Sequence, residues 1–312
     1  MTPEFLSDFT LSWAGECSAW ECDDLGHMNM RHYVHKTDEA RQGFMIRLGL
    51  KHAYQNGTVS SLRVRDFHIK YQGEARPGNS LRIDSAVLSI GECDIRLCHV
   101  MTHRDGRLAA TMIETVEHIY LPEDKIFPWP QRLQNSAKKH MTEMPGPAKP
   151  RNIDLNIKYR GTSLSKLKSH NIDIIGAGVF KKSELDITEH VSLGSFFGRT
   201  TSTIGWFKKG WPEFEDPAYL ADDKSGALLE MRAYIHNYPS RGDAYDYAPY
   251  LLSANSYTRE IIHNVMDPIS GKSWATMLAS GCKFDLKTRK LLKTTEDELT
   301  ALKKNIVSDI TL

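Results

Sequence analysis

The 312-residue chain repeats itself at an offset of about half its length, and this repeat limits the fold more than any other feature. "HVMTHRDGRLAATM" (99–112) returns as "HNVMDPISGKSWATM" (263–277), with Gly106 and Gly271 165 residues apart, as are Ala110 and Ala275. Upstream, "YQGEARPGNSLRIDSAVLS" answers to "IHNYPSRGDAYDYAPYLLS", and Gly78 meets Gly242 at an offset of 164. "DDLGHMN" (23–29) has an echo in "DITEHVS" (186–192), 163 residues on, which pairs Asp23 with Asp186 and His27 with His190. Three matches in one order at nearly constant offset mean two copies of one structural unit. The copies are expected at 1–125 and 173–312. Between them, 126–172 carries Pro128, Pro130, Pro145, Pro147 and Pro150 and reads as a Pro-rich linker with short ordered pieces.

Within copy one, Tyr33, Ala40, Phe44, Ile46, Leu48 and Leu50 recur with a roughly helical period that ends at Gly49, so one helix is predicted over about 28–48. Period-two segments rich in β-branched and aromatic residues follow at 61–71, 80–90, 93–104 and 107–121, separated by Pro77-Gly78-Asn79, Gly91-Glu92 and Arg104-Asp105-Gly106. Copy two repeats the order, with a Gly-interrupted helix at 190–207 and strands near 227–238, 243–255, 257–267 and 272–285. Long antiparallel strands after a single helix need that helix as their core partner, which makes each copy an α+β unit.

Composition narrows the partners. Forty basic against 39 acidic residues give no global attraction to polyanions, so no nucleic-acid partner is expected. Cysteines 17, 22, 93, 98 and 282 are odd in number and form no C-x-x-C, which fits reduced thiols rather than a disulfide framework or zinc ribbon. "MTPEFLSDFTLSW" carries Glu4 and Asp8 where a secretion signal needs positive charge, and no apolar run approaches the roughly 18 residues of a membrane span. A cytoplasmic protein with no membrane partner is the expectation.

One helix wrapped by an antiparallel sheet and opened by Asp-x-x-Gly-His-x-Asn resembles the hot-dog fold of the 4-hydroxybenzoyl-CoA thioesterase-like superfamily. The motif is Asp23-Asp24-Leu25-Gly26-His27-Met28-Asn29, with Tyr33 on the helix; "YQGEARPGNSLRI" resembles the family's Y-x-x-E-x-x-x-G-D strand turn, with Asn79 in place of Asp. "DDLGHMN" is also similar to the Asp-x-x-Gly-His-Met-Asn of betainyl-CoA thioesterases. The resemblance implies a tandem double hot dog that hydrolyses an acyl-CoA thioester to free acid and CoA without cofactor. It also implies association of the double units into homo-oligomers, since single-copy members are usually dimers. Copy two departs from the motif, with Glu189 for the glycine and Ser192 for the asparagine, so a working second site is not expected. Two further readings stay open: an acyl-carrier-protein thioesterase, and a non-catalytic acyl-CoA binding protein.

Thioester hydrolysis needs a nucleophile or base, oxyanion donors and a dry acyl slot. Asp23, ionised at neutral pH at its reference pKa of about 3.9, is the candidate base or nucleophile. His27 and Asn29 are candidate catalytic donors, and the helix start should offer unpaired amides to an acyl oxygen. Gly26 permits close approach. Met28, Tyr33 and Glu74 are candidates for the substrate pocket, and Arg63 and Arg65, with Lys70, Arg76, Lys181, Lys182, Lys208 and Lys209, for the coenzyme phosphates. Capping alone is the competing explanation for Asp and Asn at a helix start. No metal is expected, because His27, His32 and His35 lack a completing helical carboxylate. "IIGAGVFKK" (174–182) has Lys181 where a dinucleotide fingerprint needs glycine, and "GKS" (271–273) lacks a glycine at Met266 and is predicted to be a hairpin turn.

Overall fold

The computed structural model describes residues 3–217, 219 and 223–310. It divides into two compact units, Met1–Lys149 with Leu185–Phe197, and Pro150–Glu184 with Gly198–Leu312. In the first unit β1 (Thr10–Glu16) precedes α1 (Met30–Leu48), followed by β2 (Ser60–Tyr71), β3 (Ser80–Ile90), β4 (Asp94–His103), β5 (Leu108–Tyr120), the short β6 (Lys125–Ile126) and α2 (Gln131–Lys139). The sheet runs β1-β3-β4-β5-β2, each pair antiparallel.

Local chemistry sets the bounds of α1. The Asn29 side chain accepts the Arg31 amide at its start, and Gly49 ends it in the left-handed region at φ 115°, its amide returning to the Ile46 carbonyl. Tyr33, Thr37, Ala40, Phe44 and Leu48 form its buried stripe. Arg41 also lies on the buried side and is held by Glu114 of β5 at 2.9 Å, whose other oxygen meets His99 Nε2 at 3.0 Å. Burial works to raise Glu114, but the Arg41 charge and the His99 hydrogen bond hold it below the usual carboxylate range. Breaking such a buried pair costs roughly 3–5 kcal/mol.

The second unit holds α3 (Leu164–Ser169), β7 (Gly176–Val179), β8 (Lys224–Ile235), β9 (Ala244–Ala254), β10 (Thr258–Met266), β11 (Ser273–Asp285), β12 (Lys290–Leu292) and α5 (Glu296–Lys303); the helix α4 (Leu193–Thr203) belongs to the first unit up to Phe197 and to the second from Gly198. Its sheet runs β7-β9-β10-β11-β8, the same order as the first. Each copy is therefore one helix with an antiparallel sheet, a hot dog, and the chain is a tandem of two. The predicted 190–207 helix is shorter, stopping at Thr203 and continuing as a 3₁₀ turn over Ile204–Trp206, where β-branched residues and Gly205 lower helix propensity. No helix among the described residues is long and apolar enough to cross a membrane.

The repeat extends further than the sequence matches did. β1 pairs with β3 as β7 pairs with β9, so "GAGV" at 176–179 is an edge strand. α2 lies in the stretch predicted as linker, yet it occupies the position of α5: Val87 bridges Met141 in parallel after α2, and Leu251 bridges Ile306 after α5. "GKS" is the β10–β11 turn, closed by the Asp267 amide on the Lys272 carbonyl at 2.9 Å, with Gly271 at φ 70°.

The two motif loops share one backbone. In the first, the Asp23 amide bonds the His27 carbonyl at 3.0 Å, the Gly26 amide bonds the Asp23 carbonyl at 3.0 Å, and Cys22 bridges Met28. In the second, Asp186 bonds His190 at 2.8 Å, Glu189 bonds Asp186 at 3.1 Å, and Leu185 bridges Val191. Gly26 takes φ 73° and Glu189 takes φ 61° in the same place. A side chain there costs about 1–2 kcal/mol, so Glu189→Gly is expected to stabilise the protein by about 1 kcal/mol, read as a higher denaturation midpoint; an unchanged or lower midpoint would show the strain to be absent.

A second expectation concerns pH. His263 of β10 is buried, bonded to the Tyr247 hydroxyl at 2.5 Å, and burial pushes its pKa down to about 3. Unfolded histidine titrates near 6.5, so the unfolded chain takes up a proton first as the pH falls. The stability contributed by neutral His263 is complete above about pH 6.5 and is lost as the pH falls towards the folded value. The thermal midpoint should therefore decline below pH 6.5, and less steeply in His263→Gln; equal slopes would contradict the assignment.

Candidate active site

The site is assembled on a turn that follows β1. Cys17 is anchored by two backbone bonds, its amide to the Asn79 carbonyl at 2.9 Å and its carbonyl from the Gly78 amide at 2.8 Å. Ser18 and Glu21 form a capping box around the 3₁₀ turn Ala19–Glu21. Glu21 is a junction: its carboxylate accepts from the Ser18 amide at 2.8 Å and from Lys36 Nζ at 2.8 Å, and its carbonyl accepts the Asn29 amide at 2.8 Å. Burial works to raise Glu21, yet Lys36 and the Ser18 amide hold it below the usual carboxylate range.

Asp23 is half-buried, with Oδ1 accepting from the Leu25 amide at 3.1 Å and Oδ2 from Asn29 Nδ2 at 3.4 Å. The Met28 amide donates to the Ala75 carbonyl at 2.8 Å and ties the loop to the turn after β2. On that turn Glu74 meets His27 Nε2 at 3.0 Å, and Arg76 stands 3.9 Å from the same carboxylate. The buried Tyr33 hydroxyl takes the Ala75 amide at 3.2 Å and faces the Gly73 carbonyl at 3.5 Å, while its ring meets Tyr71 edge-on at 5.2 Å. Burial raises the Tyr33 phenol, whose hydroxyl is engaged by the strand turn on both sides. Asp23, Gly26, His27, Met28, Asn29, Tyr33 and Glu74 thus come together.

Arg63 and Arg65 do not join them. They lie eight and six residues before Tyr71 on β2, about 26 and 20 Å away along an extended strand. Both are bound to Glu117, Arg63 Nε at 3.1 Å and Arg65 Nε at 2.9 Å, and Arg63 also reaches Asp124 at 2.5 Å. Lys70 donates to the Lys149 carbonyl at 2.6 Å, Lys208 meets Glu215 at 2.7 Å and Lys209 meets Asp173 at 2.7 Å.

The helix start offers fewer free amides than expected. Those of Met28 and Asn29 serve Ala75 and Glu21, that of Arg31 serves Asn29 Oδ1 at 3.2 Å, and that of His32 the Asn29 carbonyl at 2.9 Å. In the second loop Asp186 Oδ1 is occupied by the Thr188 amide at 2.8 Å and hydroxyl at 2.6 Å, and the hydroxyl also meets His190 at 3.0 Å.

Glu21 and Lys36 were not singled out in the sequence, whereas Tyr71 opens the strand-turn match. Ser18-x-x-Glu21 is a legible capping-box signal, but the contacts from Lys36 and Tyr71 depend on the fold. His35, on α1, has its ring against Gly194, where an added Cβ would lie 2.2 Å from it. Burial, with the neighbouring His32 and Arg31 charges, pushes His35 down to about 4.

The family model of the Thioesterase-like superfamily matches residues 17–136. An L-carnitine dehydrogenase/betainyl-CoA thioesterase from Agrobacterium fabrum is 24% identical over 125 residues, 40% of this chain and 26% of that protein, so the match spans about a quarter of the relative's length. A 12:0-ACP thioesterase from Umbellularia californica superposes with a TM-score of 0.67 at 10% identity, covering 89% of this chain and 95% of that one. An acyl-ACP thioesterase from Bacteroides thetaiotaomicron does so with 0.61 at 11% identity, covering 88% and 98%. At these identities the superpositions speak for the fold across nearly the whole chain, while the family-model match falls on the copy that carries Asp23 to Asn29. Over residues 17–136 the chain is similar to the Thioesterase-like superfamily.

Proposed function

We propose that the protein is an acyl-CoA thioesterase whose working site is the Asp23–Asn29 loop of the first copy. The observation that carries this is the half-buried Asp23 carboxylate, held by Leu25 and Asn29 at the mouth of α1, beside the Glu74–His27 pair. With a thioester carbonyl placed over the helix start, Asp23 takes a proton from water as the hydroxide equivalent adds to the carbonyl carbon; in the covalent alternative Asp23 attacks that carbon, and water then hydrolyses the acyl-aspartyl anhydride, giving the free acid, the regenerated carboxylate and the proton that the thiolate takes up. The oxygen that gains charge faces the Met30 amide and Asn29 Nδ2, and collapse expels the CoA thiolate, which takes up the proton. Arg76, exposed beside Glu74, is the basic side chain placed to meet a coenzyme phosphate.

The partial match to a betainyl-CoA thioesterase supports a small polar or charged acyl group. A carrier-protein thioester is the second reading, supported by the names of the two whole-chain fold neighbours. The proposal includes a cytoplasmic setting and homo-oligomers of the double unit. Hydrolysis of CoA and carrier-protein thioesters over a range of acyl lengths and polarities separates the readings, and binding without turnover on any of them would favour a non-catalytic acyl-CoA binding protein.

Asp23→Asn keeps the shape of the side chain and removes the base, so kcat is expected to fall by about 10²–10⁴-fold with folding nearly intact. Asp186→Asn should cost little, because Glu189 adds bulk and negative charge where an oxyanion would approach. Equal losses in both variants would mean two working loops or a shared one. Unchanged turnover in Asp23→Asn would return the loop to the status of a helix cap.

A further inference from the structure

The thiols of Cys17 and Cys22 face each other across the 3₁₀ turn that leads into the Asp23 loop, with Sγ atoms 3.6 Å apart and both directed at the Ser18 carbonyl, at 3.8 and 3.7 Å. The two differ in access: Cys17 is fully buried and Cys22 is half-buried. They also differ in freedom. Cys17 is fixed on both sides of its backbone by Gly78 and Asn79, whereas Cys22 sits where the turn ends, its amide on the Ala19 carbonyl at 3.2 Å. Cys22 is bonded directly to Asp23 in the chain and bridges Met28 across the loop.

We propose that Cys17 and Cys22 are an oxidative modification site that closes to a disulfide and displaces the Asp23 carboxylate. The partner is a low-molecular-weight disulfide such as oxidised glutathione. The Cys22 thiolate attacks one sulfur, forming a mixed disulfide and releasing one glutathione thiol. Cys17 then attacks Cys22 Sγ, its proton passing to the second glutathione as that leaves, so two cysteine thiols are oxidised and one glutathione disulfide is reduced to two thiols. Burial, together with the hydrogen bond from Cys22, raises the Cys17 thiol, so the second step is slow at neutral pH and quickens as the pH rises. Its intramolecular placement compensates for weak ionisation.

A disulfide requires an S–S distance of about 2.05 Å, so the sulfurs must close by roughly 1.5 Å. With Cys17 pinned, the movement falls on Cys22 and is passed to Asp23, pulling its carboxylate from Asn29 and disturbing the bridge to Met28. The loss of turnover rests on the proposed thioesterase reading; the cross-link itself does not.

The test incubates the reduced full-length protein with oxidised glutathione, maps peptides by mass spectrometry and follows acyl-CoA hydrolysis. The expected result is loss of two hydrogens per chain through a Cys17–Cys22 link, turnover lowered about 10²-fold and restored by dithiothreitol. Cys22→Ser should keep its basal turnover and be insensitive to the oxidant, and Cys17→Ala should stop at the mixed disulfide. Absence of the link, or the link with full turnover, would overturn the proposal. A reduced protein that hydrolyses no thioester would refute the functional reading, and the peptide map would still decide whether the site oxidises.

Discussion

Asn29 holds the site together by giving its two polar atoms to two different partners. Oδ1 caps α1 through the Arg31 amide, and Nδ2 reaches Asp23. The helix start and the candidate base are therefore one rigid object; the Glu21 carbonyl takes the Asn29 amide, its carboxylate takes Lys36 Nζ, and Lys36 reaches the Glu16 carbonyl at the end of β1. The Ala75 carbonyl does the same from the other side, by taking the Met28 amide. At such a residue one side chain both caps the helix and orients the Asp23 carboxylate.

The two loops keep one backbone with different side chains. Both loops close the same turn with the same backbone bonds, and both open a helix, because those bonds are what the fold requires of the segment. In the second loop a left-handed glutamate and a threonine that occupies Asp186 satisfy the backbone with different side chains. The fold tolerates about 1–2 kcal/mol of local strain at Glu189.

Much of this was legible in the chain. The long strands announced themselves through alternation, and α1 through its period and Gly49, so their bounds agree with the structure within a few residues. β1 and β7 were not legible, because "TLSWAGE" and "GAGV" have too few apolar side chains to alternate; pairing with β3 and β9 makes them strands. α2 was hidden among prolines and is identified only by its likeness to α5. Within the site, the 23–29 cluster could be read because its residues are neighbours in sequence, and Glu74 because it sits at a fixed distance from Tyr71. Arg63 and Arg65 show the limit of such reading: charge and proximity in sequence suggested phosphate, but the rise of an extended strand carries them away and carboxylates on β5 and the following turn engage them.

The most direct measurement is calorimetric titration of the full-length protein with a non-hydrolysable thioether analogue of its fastest acyl-CoA substrate. One binding event per chain, weakened when Asn29 is replaced by alanine, is the predicted result. Two equivalent events per chain, or one that is indifferent to Asn29, would contradict a single site built on the first loop.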